Sequence, residues 1–357
     1  MNYFSPDYFT ARSRWIAAAE RYGGRIESYE ITAAVPVKEQ NLTIDVAIFG
    51  NANASKALVI SSGLHGAEGL FGSAVQLATI DRYLATDRLP SDLAIVTIHT
   101  LNPFGCAWHR RWNEDNIDLN RNFLLTDEVY AGAPSAYSSL DGFLNPRSAP
   151  SRLEPFLLKS LGAIGRYGMS ALKSTLPVGQ YEFPQGLFFG GKAASQTQKI
   201  LATHFRSWLG AAQQVIHLDL HSGLGKWGTY QLFAELTSDS PRYQWLAERF
   251  GDLLTLDAED RVYQPRGTLG RWCQAEFADR RYDFILAEFG TYSMLRVLKA
   301  LRAENRAHWW GSPADRSNDW AKEELLEVFV PQSQQWREIV LDRGVKLCWA
   351  GINALQS

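Results

Sequence analysis

Two segments of the chain combine histidine with carboxylate residues at spacings that suit a metal ion. In SSGLHGAEGLFG, His65 and Glu68 are three positions apart and follow an apolar run directly. On a turn that opens a helix, this spacing lets both side chains point at one ion, and the glycines around them permit a tight backbone. An HxxE pair is frequent by chance, so this segment alone is weak evidence for a metal site.

The second segment, HLDLHSG, ends another apolar run. His217, Asp219 and His221 alternate along it, so an extended strand puts all three on one face. His221 comes last, where the strand should end, and is the better ligand candidate. We expect His217 to be a buried, hydrogen-bonded core histidine. A carboxylate that orients a ligand imidazole is a reasonable role for Asp219.

His65, Glu68 and His221 together make a ligand set that suits zinc. Two imidazoles and one carboxylate leave one position open for water, which distinguishes a catalytic zinc site from a structural one. Cobalt or manganese can occupy the same ligands. The residues therefore predict a catalytic site with one metal ion.

A third segment, NPFGCAWHRRWNEDNIDLNRNF, concentrates donors for an anion. Arg110, Arg111 and Arg121 each offer a planar fork of donors that matches a carboxylate, and Asn120 adds neutral donors. An isolated arginine is normally a solvated surface residue. The DLNRNF ending, with Asp118 just before the Asn-Arg pair, favours an anion site instead.

The fourth segment, FILAEFGTYS, places Glu288 at the end of an apolar run. A carboxylate there is either a partner in a structural ion pair or a base exposed to a cleft. As a general base it would take a proton from water that a metal ion has acidified. Considered alone, Glu288 would be assigned to an ion pair.

The order of these four segments resembles that of the zinc carboxypeptidases, the carboxypeptidase A-like metallopeptidases. The resemblance covers roughly Lys56 to Tyr292, and it depends on the ordered set because each motif alone is weak. It implies a zinc-dependent metallohydrolase that cleaves a peptide or amide bond adjacent to a free carboxylate. The zinc ligands it implies are His65, Glu68 and His221.

The same resemblance implies roles for the other candidates. Asn120 and Arg121 would bind the terminal carboxylate of the substrate. Arg111 would polarise the scissile carbonyl, and Arg110 remains an alternative because the two arginines are adjacent. Glu288 would serve as general base and then as general acid.

Two further positions follow from the resemblance, and two features depart from it. Asp118 corresponds to the aspartate that orients the first ligand histidine, and VYQPRGTLGRW resembles the mobile substrate-covering loop, with Tyr263 as its tyrosine. The arginine that typically precedes the ligand glutamate is Ala67 here. The short connection from Arg111 to Asn120 is similar to that of bacterial cytosolic members and of the succinylglutamate desuccinylase and aspartoacylase branch.

Other functions are compatible with these residues to different degrees. An N-acyl amino acid deacylase would use the same site on a smaller substrate, and the sequence separates it poorly from a peptidase. A non-catalytic module that binds carboxylates is less favoured, because every expected catalytic position is filled. No GxGxxG motif opens a helix after a strand, which disfavours a dinucleotide-dependent enzyme.

The elements that must position these residues alternate along the chain. Apolar runs predict strands at Lys56–Ser62, Asp92–His99, Gln214–Leu220, Thr229–Ala234 and Asp283–Glu288. Helices are predicted at Phe71–Leu84, Ala194–Leu209, Pro241–Leu256, Tyr292–Arg302 and Trp320–Arg343. The alternation predicts one α/β domain over residues 1–357, with a mixed, largely parallel twisted sheet covered by helices on both faces. The turn-rich residues 124–191 are expected to be an insertion that lines the pocket.

Composition excludes several classes of partner. The 36 Lys and Arg residues nearly cancel the 38 Asp and Glu residues, so no bulk field attracts nucleic acid or an anionic membrane. Three cysteines without a CxxC pair argue against a thiolate metal site or a disulfide framework. With no signal-like N-terminus and no long apolar run, we expect a cytoplasmic protein that acts on a small peptide or N-acyl amino acid. The oligomeric state stays open.

Overall fold

The computed structural model describes residues 2–33, 41–84, 89–168, 178–255, 265–312 and 316–356. Within these ranges the centre of the molecule is an eight-stranded sheet in the order β1-β2-β4-β3-β5-β8-β6-β7. Its strands are β1 Arg25–Ile31, β2 Leu42–Gly50, β3 Lys56–Ser62, β4 Leu93–His99, β5 Gln214–Gly223, β6 Tyr230–Ala234, β7 Leu253–Thr255 and β8 Arg281–Gly290.

The middle of the sheet is parallel and its flanks are mixed. β4, β3, β5 and β8 run in the same direction, whereas β2 and β6 pair antiparallel with β4 and β8. β1 pairs antiparallel with β2, and β7 pairs parallel with β6. The predicted mixed, largely parallel α/β sheet is therefore confirmed.

Helices cover both faces of the sheet. On one face, Gly351 lies so close to Leu58 and Leu218 that a Cβ on it would be within 3.4 Å of both side chains. On the other face, the Phe205 ring packs 5.8 Å from the His217 ring. The helices are α1 Tyr8–Arg21, α2 Gly69–Thr79, α3 Pro103–Trp108, α4 Tyr137–Leu144, α5 Phe156–Tyr167, α6 Gln196–Leu209, α7 Pro241–Phe250, α8 Leu269–Glu276, α9 Met294–Trp310, α10 Asp319–Phe329 and α11 Gln334–Gln356.

Two predicted helices are wrong in extent. The stretch predicted as Trp320–Arg343 forms α10 and α11 with a break between them, because Pro331 cannot continue a helix and disfavours helical backbone before it. The helix predicted as Pro241–Leu256 ends at Phe250, where Gly251 takes φ of +81° and terminates it.

Two strands at one edge of the sheet, β1 and β2, have no counterpart among the predicted strands. β2 carries Asp45 in its centre, and this buried carboxylate pairs with Arg12 of α1 at 2.7 Å. β1 has the polar sequence RIESYEI with mixed exposure. Neither strand has the continuous apolar run that identifies the central strands β4, β3, β5 and β8.

No helix in the described ranges is both long and apolar enough to cross a bilayer.

The described parts of the predicted insertion, residues 124–168 and 178–191, contain α4 and α5 and pack against α9. Glu154 pairs with Arg302 and Arg306 of α9, and Asn305 donates to the Gln185 carbonyl at 2.8 Å. Tyr137 of α4 is fully buried and donates to the Leu187 carbonyl. This region is therefore a packed wall that faces α9.

The parallel arrangement of β3, β5 and β8 determines where a site can form. Carboxyl ends of parallel strands meet at one edge of a sheet, and ligands gather there. His221 near the end of β5 is the cross-strand partner of Glu288 near the end of β8. β3, on the other side of β5, ends just before His65.

Candidate metal centre and its cavity

The turn after β3 brings His65 and Glu68 together. It begins at Gly63, with φ of +62°, where a Cβ would lie 1.8 Å from the Thr100 hydroxyl oxygen. Only glycine fits such a backbone at that distance. A short 3-10 turn, Gly66–Glu68, then leads into α2. His65 and Glu68 are both buried at this turn.

His65, Glu68 and His221 form a compact group that can hold a metal ion. One ligand atom from each of the three lies within 4.8 Å of the others. The two carboxylate oxygens of Glu68 face the two rings: Oε1 is 3.0 Å from Nδ1 of His65 and Oε2 is 3.1 Å from Nδ1 of His221. The backbone N–H of Ser222 also donates to Oε2. Three side chains from two strand ends thus converge on one point.

Carboxylates support the far side of both imidazoles. Nε2 of His221 is 2.6 Å from Asp219, and Nε2 of His65 is 3.2 Å from Asp118. Carboxylate support of the second ring nitrogen is usual for histidine ligands, since it fixes the orientation and raises the basicity of the ring. Three buried carboxylates around two imidazoles make a strongly anionic environment. This donor set fits a divalent cation.

The same charges shift the acidities of the group. Burial alone would raise the pKa of Glu68, but the neighbouring His65 and His221 lower it to about 2. Burial also opposes ionisation of Asp118, yet Arg111 and His65 hold its pKa well below the usual range. The pKa of His221 is raised well above its usual value against the effect of burial, because Asp219 and Glu68 face it. The carboxylates of this group are therefore ionised at neutral pH.

His217 lies on the same strand face but outside the metal group. Its Nε2 is 2.7 Å from the Ser61 hydroxyl and its Nδ1 is 2.8 Å from the Tyr282 hydroxyl. Burial lowers its pKa to about 4. This geometry agrees with the predicted core histidine. Ser61 also donates to Asp219, so the two residues on the strand are linked.

The two adjacent arginines point in different directions. Arg111 lines the cavity, where Nη2 is 2.7 Å from Nε2 of His65 and Nε donates to Asp118 at 3.0 Å. Arg110 is fully buried and bonds Glu304 and Asn116. Of the pair, the geometry therefore leaves Arg111 as the one that can reach a substrate.

Asn120 and Arg121 line the same cavity from a short 3-10 turn. The backbone of Asn120 donates to Asp118, and its side-chain oxygen accepts from the N–H of Leu269 at the start of α8. Both side chains are largely buried. Tyr263, predicted from the loop resemblance, lies outside the described residues.

Glu288 reaches the cavity from β8. Its Oε1 accepts a hydrogen bond from the N–H of Leu224 at 2.9 Å. Burial, reinforced by the negative charge of Glu68, raises the pKa of Glu288 to about 7. A carboxyl group with this pKa can accept and return a proton near neutral pH.

The metal group opens into a cavity of about 290 Å³. Its lining includes the candidate residues described above for the metal, the anion and the base. It also has a large apolar surface that was not predicted from the sequence. That surface comes from Phe188, Phe233, Phe284, Leu286, Met294, Val297, Leu298, Leu301 and Phe329. Four of these are spaced 3, 4 and 7 apart along α9, so the amphipathic period of this helix was an available signal.

Comparison with solved structures shows the fold. Carboxypeptidase A from Helicoverpa armigera is similar in structure, with a TM-score of 0.51 at 12% identity, over 91% of this chain and 75% of that chain. Thrombin activatable fibrinolysis inhibitor matches with a TM-score of 0.48, 13% identity and coverage of 95% and 74%. Murein-tripeptide amidase MpaA from Escherichia coli O157 matches at 0.36, 18% identity and coverage of 81% and 93%. The similarity to carboxypeptidase A shows that the fold is zinc carboxypeptidase-like, as the sequence resemblance implies.

A comparison with protein-family models identifies the sequence family. The model of the family described as Protein of unknown function (DUF2817) matches residues 4–343, and the chain belongs to this family. A search of curated proteins gave no significant match.

Proposed function

We propose that the protein is a zinc-dependent hydrolase that cleaves a peptide or amide bond adjacent to a free carboxylate. The observation that carries the proposal is the meeting of three kinds of group in one cavity. A buried His-Glu-His group, a carboxyl whose pKa is raised to about 7, and buried Arg and Asn side chains all line it. Enzymatic hydrolysis of an amide needs a group that polarises the carbonyl, a base that activates water, and groups that orient the substrate.

In this proposal His65, Glu68 and His221 hold the metal. Zinc is the ion that a set of two imidazoles and one carboxylate suits best. When bound, it would supply a Lewis acid that acidifies water and polarises a carbonyl. Asp118 and Asp219 hold the two ligand rings in place from behind.

Glu288 carries the proton. With a pKa near 7 it is substantially ionised at neutral pH, so it takes a proton from the attacking water. The same carboxyl then returns that proton to the departing amine. The Leu224 N–H holds one oxygen of this carboxyl, which leaves the other free to face the substrate.

Arg111, Asn120 and Arg121 orient the substrate. Arg111 lines the cavity, and its Nη1 is 3.9 Å from Oε1 of Glu68 in the metal group. A carbonyl oxygen beside that group is within its reach, and its donors stabilise the negative charge that develops there. Asn120 and Arg121 supply neutral and charged donors for the carboxylate. Binding of that carboxylate places the scissile bond between the base and the metal ligands.

A matched pair of substrates tests both parts of the proposal. An N-acyl amino acid and its methyl ester differ only in the free carboxylate. We expect the zinc-loaded protein to hydrolyse the acid with a kcat/KM about 100-fold higher, since the ester cannot form an ion pair with buried arginine. A chelator should abolish both rates, and added zinc should restore them.

Two outcomes would overturn the proposal in different ways. Equal rates for acid and ester would remove the carboxylate requirement. Rates that persist in protein shown by elemental analysis to be free of metal would remove the metal-dependent mechanism. The Arg121→Met variant is the matched control, because it should lower the rate for the acid and leave the rate for the ester nearly as it was.

A further inference from the structure

The cavity has one side suited to the carboxylate half of a substrate. Asn120 accepts a hydrogen bond from the N–H of Leu269, so the proposed carboxylate donors lie beside the first turn of α8. The next residue, Gly270, also lines the cavity and lies against the Phe284 ring, which a Cβ at Gly270 would approach to 2.5 Å. A substrate held by its carboxylate therefore places its amino acid half against α8 and β8.

A different part of the lining remains for the acyl half. It comprises four residues on one face of α9, the last residue of α10, and one residue of the segment between α5 and α6. We call this surface the acyl wall; it consists of Phe188, Met294, Val297, Leu298, Leu301 and Phe329. All six side chains are apolar, and the four on α9 are spaced so that they share one face of the helix.

Contacts tie the acyl wall to the reacting groups. A Cβ placed on Gly223 would lie 2.7 Å from the Phe329 ring and 3.7 Å from Oε1 of Glu288, so the ring and the proposed base both lie beside Gly223. At the other end, the Arg111 guanidinium carbon is 5.7 Å from the centre of the Phe188 ring. The wall thus begins where the scissile carbonyl would sit.

Phe188 is held in this position by an unusual backbone. Its φ is +59°, a left-handed conformation that is unfavourable for an aromatic residue. The Gln180 N–H donates to the Phe188 carbonyl at 3.0 Å, and the Gln180 side chain bonds the Phe183 carbonyl and the N–H of Glu182. Such conformations persist only where the surroundings enforce them, and they concentrate at ligand sites.

From this geometry we infer that the substrate is an N-acyl amino acid whose acyl group is a hydrocarbon chain. The inference deepens the proposed function and rests on it. A longer peptide would bring backbone N–H and C=O groups to the acyl wall, and the side chains there offer no hydrogen-bonding partner, which makes their burial costly. A hydrocarbon chain has no such groups and gains from leaving water.

The dimensions of the wall set the useful length of the chain. Met294 and Leu301 are seven residues apart on one helix, which corresponds to roughly 10 Å at 1.5 Å per residue. A chain of medium length can lie along this stripe. Each methylene it buries should raise kcat/KM about fourfold, from about 0.8 kcal/mol per buried methylene.

The test is a series of substrates that share one amino acid and carry acetyl, butanoyl, hexanoyl, heptanoyl or octanoyl groups. We expect kcat/KM of the zinc-loaded protein to rise along the series by about fourfold per methylene. The 6-aminohexanoyl derivative has the length of the heptanoyl one but ends in an ammonium group. It should react at least about tenfold more slowly, because the wall cannot solvate a charge.

Two variants on α9 localise the effect. Leu298 belongs to the acyl wall, whereas Leu295 is 46% exposed on the same helix and does not line the cavity. Leu298→Asn should reduce the octanoyl-to-acetyl ratio of kcat/KM roughly tenfold, because it replaces apolar surface that the chain would cover. Leu295→Asn should keep the slope of the unmodified protein. Equal slopes in the two variants would overturn the assignment of the wall.

Binding separates this inference from the proposed function. The Kd of each compound for zinc-loaded Glu288→Gln protein, measured by calorimetry, does not depend on turnover. Affinity that rises with chain length supports the acyl wall, whether or not the unmodified protein hydrolyses the compounds. If it hydrolyses none of them, the proposed hydrolysis is wrong and the acyl wall still stands. Hydrolysis with flat affinity and a flat rate along the series would overturn the acyl wall and leave the proposed function intact.

Discussion

Two glutamates share the cavity, and their surroundings drive their acidities in opposite directions. Glu68, on the turn after β3, lies between two imidazoles that lower its pKa to about 2. Burial and the negative charge of Glu68 oppose ionisation of Glu288, at the end of β8, and its pKa rises to about 7. One carboxylate is permanently charged and suits a metal ion, and the other can exchange a proton at neutral pH. Two groups of one chemical type thus acquire different acidities from their surroundings.

The largest expected effect comes from removing the charged member of the pair. In Glu68→Gln, both imidazoles lose the carboxylate that faces them, so zinc affinity should fall roughly 100-fold or more, beyond what loss of a supporting residue causes. Hydrolysis at limiting zinc should disappear. Zinc titration with a competing chelator measures the affinity. Unchanged affinity would show that Glu68 is not a ligand.

Removal of the other member should separate metal binding from chemistry. Glu288→Gln should keep one zinc ion per chain, while kcat falls by about 10²–10⁴, the range for loss of a general base. Elemental analysis and steady-state kinetics on the same preparation give both values. Full activity in zinc-loaded Glu288→Gln would assign the base elsewhere. Loss of zinc from it would erase the distinction between the two glutamates.

A change behind the metal group should produce an intermediate effect. Asp118 lies 3.2 Å from Nε2 of His65 and accepts from Nε of Arg111. Asp118→Asn keeps the size of the side chain but removes the charge, so zinc affinity or activity should fall about 10- to 100-fold. Asp115→Asn makes the same change at an exposed carboxylate three residues earlier in the chain, and zinc affinity should stay as it was.

The smallest expected effect is a gradual dependence of kcat/KM on pH. In the proposed mechanism Glu288 acts in its deprotonated form, so kcat/KM should fall as the pH drops through the pKa of this group, by about tenfold per unit below it. A bound cation favours the charged form. The acid limb of the pH profile of the zinc-loaded protein should therefore lie between the ordinary glutamate value of 4.5 and about 7. Zinc content measured at each pH excludes metal loss as the cause, and a limb below 4.5 would contradict the assignment.

The sequence alone determined the parts of this protein that depend on local pattern. Largely apolar runs identified the central strands, because strands covered on both faces need apolar residues at most positions. The motifs at the ends of those runs supplied the candidate residues, since parallel strands bring their carboxyl ends to one edge. The α/β sheet was predicted in this way, and the zinc carboxypeptidase-like fold was implied by the resemblance of the ordered motifs to that family; both are confirmed.

Other features were decided only by tertiary structure. Adjacent Arg110 and Arg111 have the same local signal, and only packing sends one to Glu304 and the other to the cavity. The pKa of Glu68 falls because His65, three residues away, and His221, on another strand, outweigh burial. The pKa of Glu288 rises because of burial and the charge of Glu68, which is distant along the chain. The acyl wall joins α9 to Phe188 and Phe329 through packing that no local pattern contains. Sequence pattern determines which groups are available at each strand end, whereas long-range packing decides which of them meet and with what charge.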